Sequence, residues 1–228
     1  QPRQIAGPKP KALPMTREAF IRRGDGAEES DWWEASPYRI DWEPGPRDAL
    51  ALLGALYAPE EYLFIGERYG AEVATVGDWM RRIESGEPCP PHFIPNPLTG
   101  QEHPLPDGKL SRRGDSAVVS FRFAVAEFDG MGKPEQLAFW WGYRSAPIVA
   151  LIDTGGKSIH ALLRVDAPSR EAWEADVEQR LFSRVLCPLG CDAACRNESR
   201  LSRLPGHFRR EKNQWQRLLY LNPEGVRR

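Results

Sequence analysis

Two features are scarce in this chain of 228 residues: cysteine, with four, and long apolar runs. Four cysteines in so long a chain do not make a disulfide scaffold. The most apolar stretch, 120 to 127, is far too short to cross a bilayer, so a reducing cytoplasm with no membrane is the expected setting. Net charge is almost absent as well, with 31 basic against 32 acidic residues, which excludes a histone-like binder working by bulk charge. The chain starts at Gln1 without an initiator Met or a signal-like segment, and it reads as part of a longer polypeptide.

What is present argues for a folded domain. Hydrophobic residues make up 41% of the chain and include eight tryptophans, enough to bury a substantial core. The charge is unevenly spread. From Arg196 to Arg228 nine Arg or Lys face three Glu, so the C-terminal segment is strongly basic.

Residues 1–46 hold seven prolines and are expected to be extended, pinned to the body by Trp32 and Trp33. The body proper is expected over 47–228. Helices are predicted over Asp48 to Tyr57, Glu60 to Arg68 and Thr75 to Ser85, with Val76, Trp79, Met80 and Ile83 on one face of the third. The stretch from Gly86 to Gly114, rich in Pro, Gly and Asn, predicts a packed irregular loop. Ser116 to Asp129 is β-prone, a helix should run from Pro134 to Tyr143, and strands are predicted over Ile148 to Ile152 and Ile159 to Val165. A further helix covers Trp173, Val177, Leu181 and Phe182, followed by short strands at Leu201 to Leu204 and Gln216 to Leu221. The class is therefore mixed α/β (α+β), with helices packed on sheet.

Two constellations carry chemistry. Glu127 and Asp129 alternate with Phe128, so on a strand both carboxylates face one side. Two such carboxylates repel unless a cation lies between them, and hard oxygen ligands suit Mg²⁺ or Mn²⁺. Gly155-Gly156-Lys157-Ser158 leads into His160 and offers backbone N–H groups, an ammonium, a hydroxyl and an imidazole, a donor set suited to a triphosphate. The order is strand, turn, strand, so this is not a P-loop. Arg196, Arg200, Arg203, Arg209, Arg210, Lys212 and Arg217 surround Leu204-Pro205-Gly206 and can clamp phosphates. Cys187, Cys191 and Cys195 recur every four residues, but Pro188 and Gly190 break the helix that would align them, and free thiols rather than zinc are expected.

Taken together, Ala124 to Asp129 as an acid-x-acid motif, Ser158-Ile159-His160 as a small-x-His motif, and Asp192 followed by Arg200 to Gly206 resemble the archaeo-eukaryotic primases. More narrowly, Asn96 to Gly100, Ile152 to His160 and Gln216 to Pro223 are similar to the primase-polymerase domains fused to helicases in plasmids, phages and prophages. The resemblance covers roughly residues 75 to 225, and the chain carries Glu127 where many relatives have Asp.

The resemblance implies a catalytic core with an RNA-recognition-like sheet beside an additional α/β unit. It implies template-directed nucleotidyl transfer from nucleoside triphosphates onto a DNA primer or template, with a fused or associated helicase. Glu127, Asp129 and Asp192 would hold two metal ions, with Asp153 or Asp166 as alternatives to Asp192. Lys157, Ser158, His160 and Arg203 would bind the nucleotide, with His160 on the phosphates, while Arg200, Arg209, Arg210 and Lys212 would bind DNA. A catalytically silent nucleic-acid-binding replication module and a metal-dependent nuclease are the rival expectations.

Overall fold

In the computed structural model, which describes residues 16–226, the chain forms two antiparallel four-stranded sheets with helices packed around them. The strands in chain order are β1 Tyr62–Gly66, β2 Val73–Thr75, β3 His92–Phe93, β4 His103–Pro104, β5 Leu110–Ser111, β6 Phe121–Ala126, β7 Ile148–Asp153, β8 Ile159–Ala167, β9 Ser202–Arg203, β10 Phe208–Arg209, β11 Gln214–Trp215 and β12 Arg217–Leu221. The helices are α1 Arg17–Arg23, α2 Glu29–Glu34, α3 Pro46–Leu56, α4 Val76–Glu84, α5 Lys133–Gly142 and α6 Arg170–Ala172. The last continues as a π-wound segment over Trp173–Leu186. Its amide of Cys187 bonds the Phe182 carbonyl at 2.8 Å, five residues back, as π winding requires.

The main sheet runs β12-β7-β8-β6, and its inner strand β7 is buried along its whole length. Strand alternation divides the core between its two faces. Ala124, Ala126, Ile159, Ala161 and Leu163 face α1, α5 and the π-wound segment, where Phe20, Phe139, Trp140 and Phe182 pack. Phe123, Val125, Ile152 and Leu162 face the opposite way, onto α3 and α4 with Leu52, Leu53 and Trp79. The smaller sheet, β2-β1-β3-β9, shares this second core through Leu63, Ile65 and Phe93. Close approach of α1 to α5 requires Gly142, since a β-carbon there would overlap the Phe20 carbonyl.

Several expectations hold. The observed α3, α4 and α5 fall where periodicity and Pro134 put them, and β7 and β8 match the predicted strands to within a residue or two at each end. Trp32 is fully buried with its indole N–H on the Leu137 carbonyl at 3.3 Å, and Trp33 donates to Ile40 at 3.0 Å.

Other segments differ. The helix predicted over Glu60 to Arg68 is instead strand β1, because Leu63, Phe64 and Ile65 are all buried and the strand is paired on both sides, by β2 and β3. Tertiary pairing overrides a weak helical period there. Of the stretch expected to be extended, 1–15 lies outside the described residues, while α1 and α2 are helical. Thr16 caps α1 by accepting from the Ala19 amide at 3.1 Å, and burial of Phe20 and Trp32 repays the ordering of both turns. The β-prone run Ser116 to Asp129 yields strand only over β6. Its earlier part follows the loop instead, with the Val119 amide on the Pro97 carbonyl at 2.9 Å.

Candidate active site

Register brings the first acid and the histidine together. Ala126 of β6 pairs with Ala161 of β8, so the next positions outward, Glu127 and His160, are cross-strand neighbours. They continue the face of Val125 and Leu162, which looks toward the smaller sheet. His160 Nε2 lies 3.4 Å from Glu127 Oε1, and His160 is buried. The other ring nitrogen, Nδ1, lies 3.1 Å from Ser202 Oγ and accepts from the Arg203 amide at 3.4 Å, which joins the histidine to β9 of the second sheet. An accepting Nδ1 leaves the proton on Nε2, aimed at Glu127.

Asp192 reaches the same point from the far side of the π-wound segment. Its amide donates to the Glu127 carbonyl at 2.9 Å, just where the chain has left the β6 ladder. Its Oδ1 accepts from the Ala194 amide at 2.9 Å and caps the short turn Ala193–Arg196. Arg200 then bridges the two acids, with one terminal nitrogen 3.4 Å from Glu127 Oε2 and 3.4 Å from Asp192 Oδ2. The hydrogen bond from His160, reinforced by the charge of Arg200, holds the Glu127 carboxyl down at about 2 despite its partial burial. Glu127, Asp192 and Cys195 each present a ligand atom within 4.8 Å of the others, a grouping able to hold a metal ion. Two carboxylates already neutralised by a guanidinium have the donor chemistry for a hard divalent cation.

The cleft beside these groups has a volume of about 530 Å³. Glu127 is the acidic residue in its lining, against Arg68, Arg113, Arg200 and Arg203, with His92 and His160 among them. Four guanidiniums facing one carboxylate make it an anion-binding cavity. His92 and Arg203 are register partners on β3 and β9, and both also line a second groove of about 500 Å³. That groove runs over His207, Arg209, Arg210 and Trp215, and the two cavities share His92 and Arg203 in their walls. Burial and the neighbouring Arg203 push the His92 imidazole down to about 4, so at neutral pH it lines the cleft uncharged.

The residues singled out from sequence separate into groups. Glu127, His160, Asp192, Arg200 and Arg203 converge. Asp129 stands on the exposed turn beyond β6, outside the three-residue grouping. Lys157 is exposed and Ser158 is buried, and neither lines the cleft. Their turn packs elsewhere: Asp153 pairs with Lys133 at 2.7 Å and accepts from the Gly155 amide at 2.8 Å, and Gln136 accepts from the Ile159 amide at 2.8 Å. Asp153 is thus engaged in holding α5 to the sheet, and Asp166 pairs with Arg164 at 2.6 Å, so neither alternative stands beside Glu127.

Arg209 and Arg210 lie along the second groove and Lys212 is exposed on the β10–β11 turn. None of the four cysteines is in a disulfide, and His207 bonds the Cys89 carbonyl at 2.6 Å rather than joining Cys187, Cys191 and Cys195.

Arg68, His92 and Arg113 were not singled out from the sequence. Arg68 fell at the end of a misassigned helix, and the other two lie in a loop without periodicity. Asn96 is the hidden organiser of this region. Buried, it donates to the carbonyls of Phe123 at 3.0 Å and Glu198 at 2.9 Å and accepts from the amides of Arg122 and Phe123, both at 2.8 Å. One side chain thereby ties β6 to the segment that carries Arg200.

No family model matches the chain, and no curated protein matches it. Among solved structures, it is similar to the AEP domain of the primase-polymerase (PrimPol) of cyanophage S-2L, with 18% identity and a TM-score of 0.53 over 78% of this chain and 91% of that one. Among the described residues, no helix is long and apolar enough to cross a membrane. The two antiparallel sheets with their flanking helices are thus the mixed α/β fold of an AEP primase-polymerase domain.

Proposed function

We propose that this chain catalyses template-directed nucleotidyl transfer from nucleoside triphosphates to a growing DNA strand, acting as a DNA primase, a DNA polymerase or both. The observation that carries this reading is the site in which Glu127 and His160 line a cleft with four arginines while Asp192 stands beside Glu127. Carboxylates for a cation and guanidiniums for phosphates are the two things phosphoryl-group chemistry needs side by side. The likeness of fold to a phage primase-polymerase supports it.

In this reading Glu127 and Asp192 hold Mg²⁺ or Mn²⁺, and Asp129 adds a third carboxylate from the adjoining turn. When bound, the cation neutralises charge on the triphosphate and eases ionisation of the attacking hydroxyl. His160, whose Nε2 lies 3.4 Å from Glu127, would donate a hydrogen bond from that nitrogen to a phosphate oxygen, leaving the Glu127 carboxylate free to hold the cation. Arg203 and Arg200 bind the same phosphates, without Lys157 and Ser158, whose turn lies outside the cleft lining. The 3′-hydroxyl gives its proton to solvent, its oxygen bonds the α-phosphorus, the bond from that phosphorus to the oxygen bridging the β-phosphate breaks, and pyrophosphate leaves. Arg209, Arg210 and Lys212 hold the strand backbone along the second groove. An associated helicase completes the reading, since the sequence motifs resemble those of primase-polymerase domains fused to one.

The decisive experiment is incorporation of labelled nucleotides on primed and unprimed single-stranded DNA, with Mg²⁺ and with Mn²⁺. Product that depends on template and metal is expected. Its absence from folded protein, or release of nucleotides from the DNA instead, overturns the reading.

A further inference from the structure

We infer that Tyr69, with Arg68 and Arg113, forms a stacking subsite for an unpaired base of single-stranded DNA at the rim of the cleft. Tyr69 is 87% exposed, the most exposed of the large apolar side chains among the described residues. It stands on the turn between β1 and β2, which is closed by the Gly70 amide on the Glu67 carbonyl at 2.9 Å. That turn is held from below. Arg113 donates to the Arg68 carbonyl at 2.7 Å, and its guanidinium lies 4.3 Å from the centre of the Phe64 ring, which is itself fully buried. A tyrosine ring is therefore displayed to solvent on a braced support rather than on a loose loop.

The charges beside it select the ligand. The Arg68 guanidinium lies 5.6 Å from the Tyr69 ring centre, and Arg68 and Arg113 both line the cleft that holds Glu127 and His160. Arg113 also keeps one terminal nitrogen buried without a hydrogen-bond partner. An exposed ring next to two cations at the mouth of an anion-binding cleft is the pairing that single strands recognise, with a base on the ring and its phosphates on the arginines. A duplex offers no free base face and gains only the charge contribution. Naming this strand the template rests on the nucleotidyl-transfer reading, whereas the binding subsite itself does not.

The test uses the whole chain and a fluorescently labelled oligo-dT, read by anisotropy without nucleotide. Tyr69→Ala is expected to weaken binding by at least about fivefold, the loss of one stacked base. Tyr69→Phe should retain it, and affinity for a blunt duplex should not change. Arg113→Ala, which removes the brace, should weaken oligo-dT binding as well. Equal affinity of wild type and Tyr69→Ala for oligo-dT, an equal loss on duplex, or no binding of oligo-dT by wild type would each overturn the subsite. Failure of catalysis alone would leave these affinities as they are, so the two readings fail separately.

Discussion

The backbone amide of Asp192 donates to the carbonyl of Glu127 across 2.9 Å, and this one bond brings two acids from distant parts of the chain to a single point. It forms because Glu127 lies just beyond the end of β6, where its carbonyl has no strand partner on β8. The site is thus a consequence of where a strand stops.

Replacing either acid by its amide keeps size and removes a ligand charge. Glu127→Gln and Asp192→Asn should each reduce nucleotide incorporation by roughly 100-fold or more, because metal-assisted charge stabilisation is worth several kcal/mol. Circular dichroism should be unchanged. Asp129→Asn, on the exposed turn, should fall in the same class if it closes on the cation. Near-wild-type turnover in all three would remove the metal assignment.

Arg200 does the neutralising between the two carboxylates when no cation is bound. Arg200→Ala should lower the melting temperature in chelator by a few degrees, since its ion pairs are part-exposed and worth roughly 1 kcal/mol. Added Mn²⁺ should then stabilise the variant more than wild type, because a competing cation has gone. Thermal scans with and without Mn²⁺ measure both shifts, and an equal response in the two proteins would show that Arg200 does not occupy the cation's place.

Arg203 and Arg210 should separate nucleotide from strand binding. Arg203 lines the cleft and also lies in the second groove, while Arg210 lies in the groove alone. Arg203→Ala should cost about tenfold or more in triphosphate affinity by calorimetry. Arg210→Ala should instead weaken DNA binding uniformly across sequences and reduce the salt dependence by about one counterion. A change in triphosphate affinity with Arg210→Ala, or an unchanged salt slope, would contradict this division.

Stability should depend on Asp48. This carboxyl is buried in α3, where Oδ2 accepts from the Leu218 amide at 2.9 Å while Oδ1 has no partner. Burial raises it to about 7 from an ordinary value of 3.8, against the lowering effects of that hydrogen bond and of Arg217. Between those two values the folded chain keeps a proton that the unfolded chain gives up, so stability falls as pH rises through this window, by a few kcal/mol at most, as an order of magnitude. Asp48→Asn should flatten that slope. Urea midpoints at pH 5 and pH 8 check it, and a wild-type protein equally stable at both would refute it.

The sequence by itself determined the class of the fold and most of the helices and inner strands, and it singled out Glu127, His160, Asp192, Arg200 and Arg203 as candidates. Those are legible because hydrophobic period and residue type are local properties, and because acids, imidazole and arginines in that order are a chemical pattern. The tertiary structure decided which of them meet. Periodicity gave no sign that β1 would be strand, since pairing with β2 and β3 outweighed the local preference of a short apolar segment. It could not separate Asp192 from Asp153 and Asp166, because a carboxylate's role depends on its partners: Lys133 takes Asp153 and Arg164 takes Asp166. Nor could it place the Lys157–Ser158 turn away from the cleft, or bring Arg68, His92 and Arg113 into it. Those positions follow from β9 pairing with β3 inside the smaller sheet, a contact between segments far apart in the chain that no local pattern encodes.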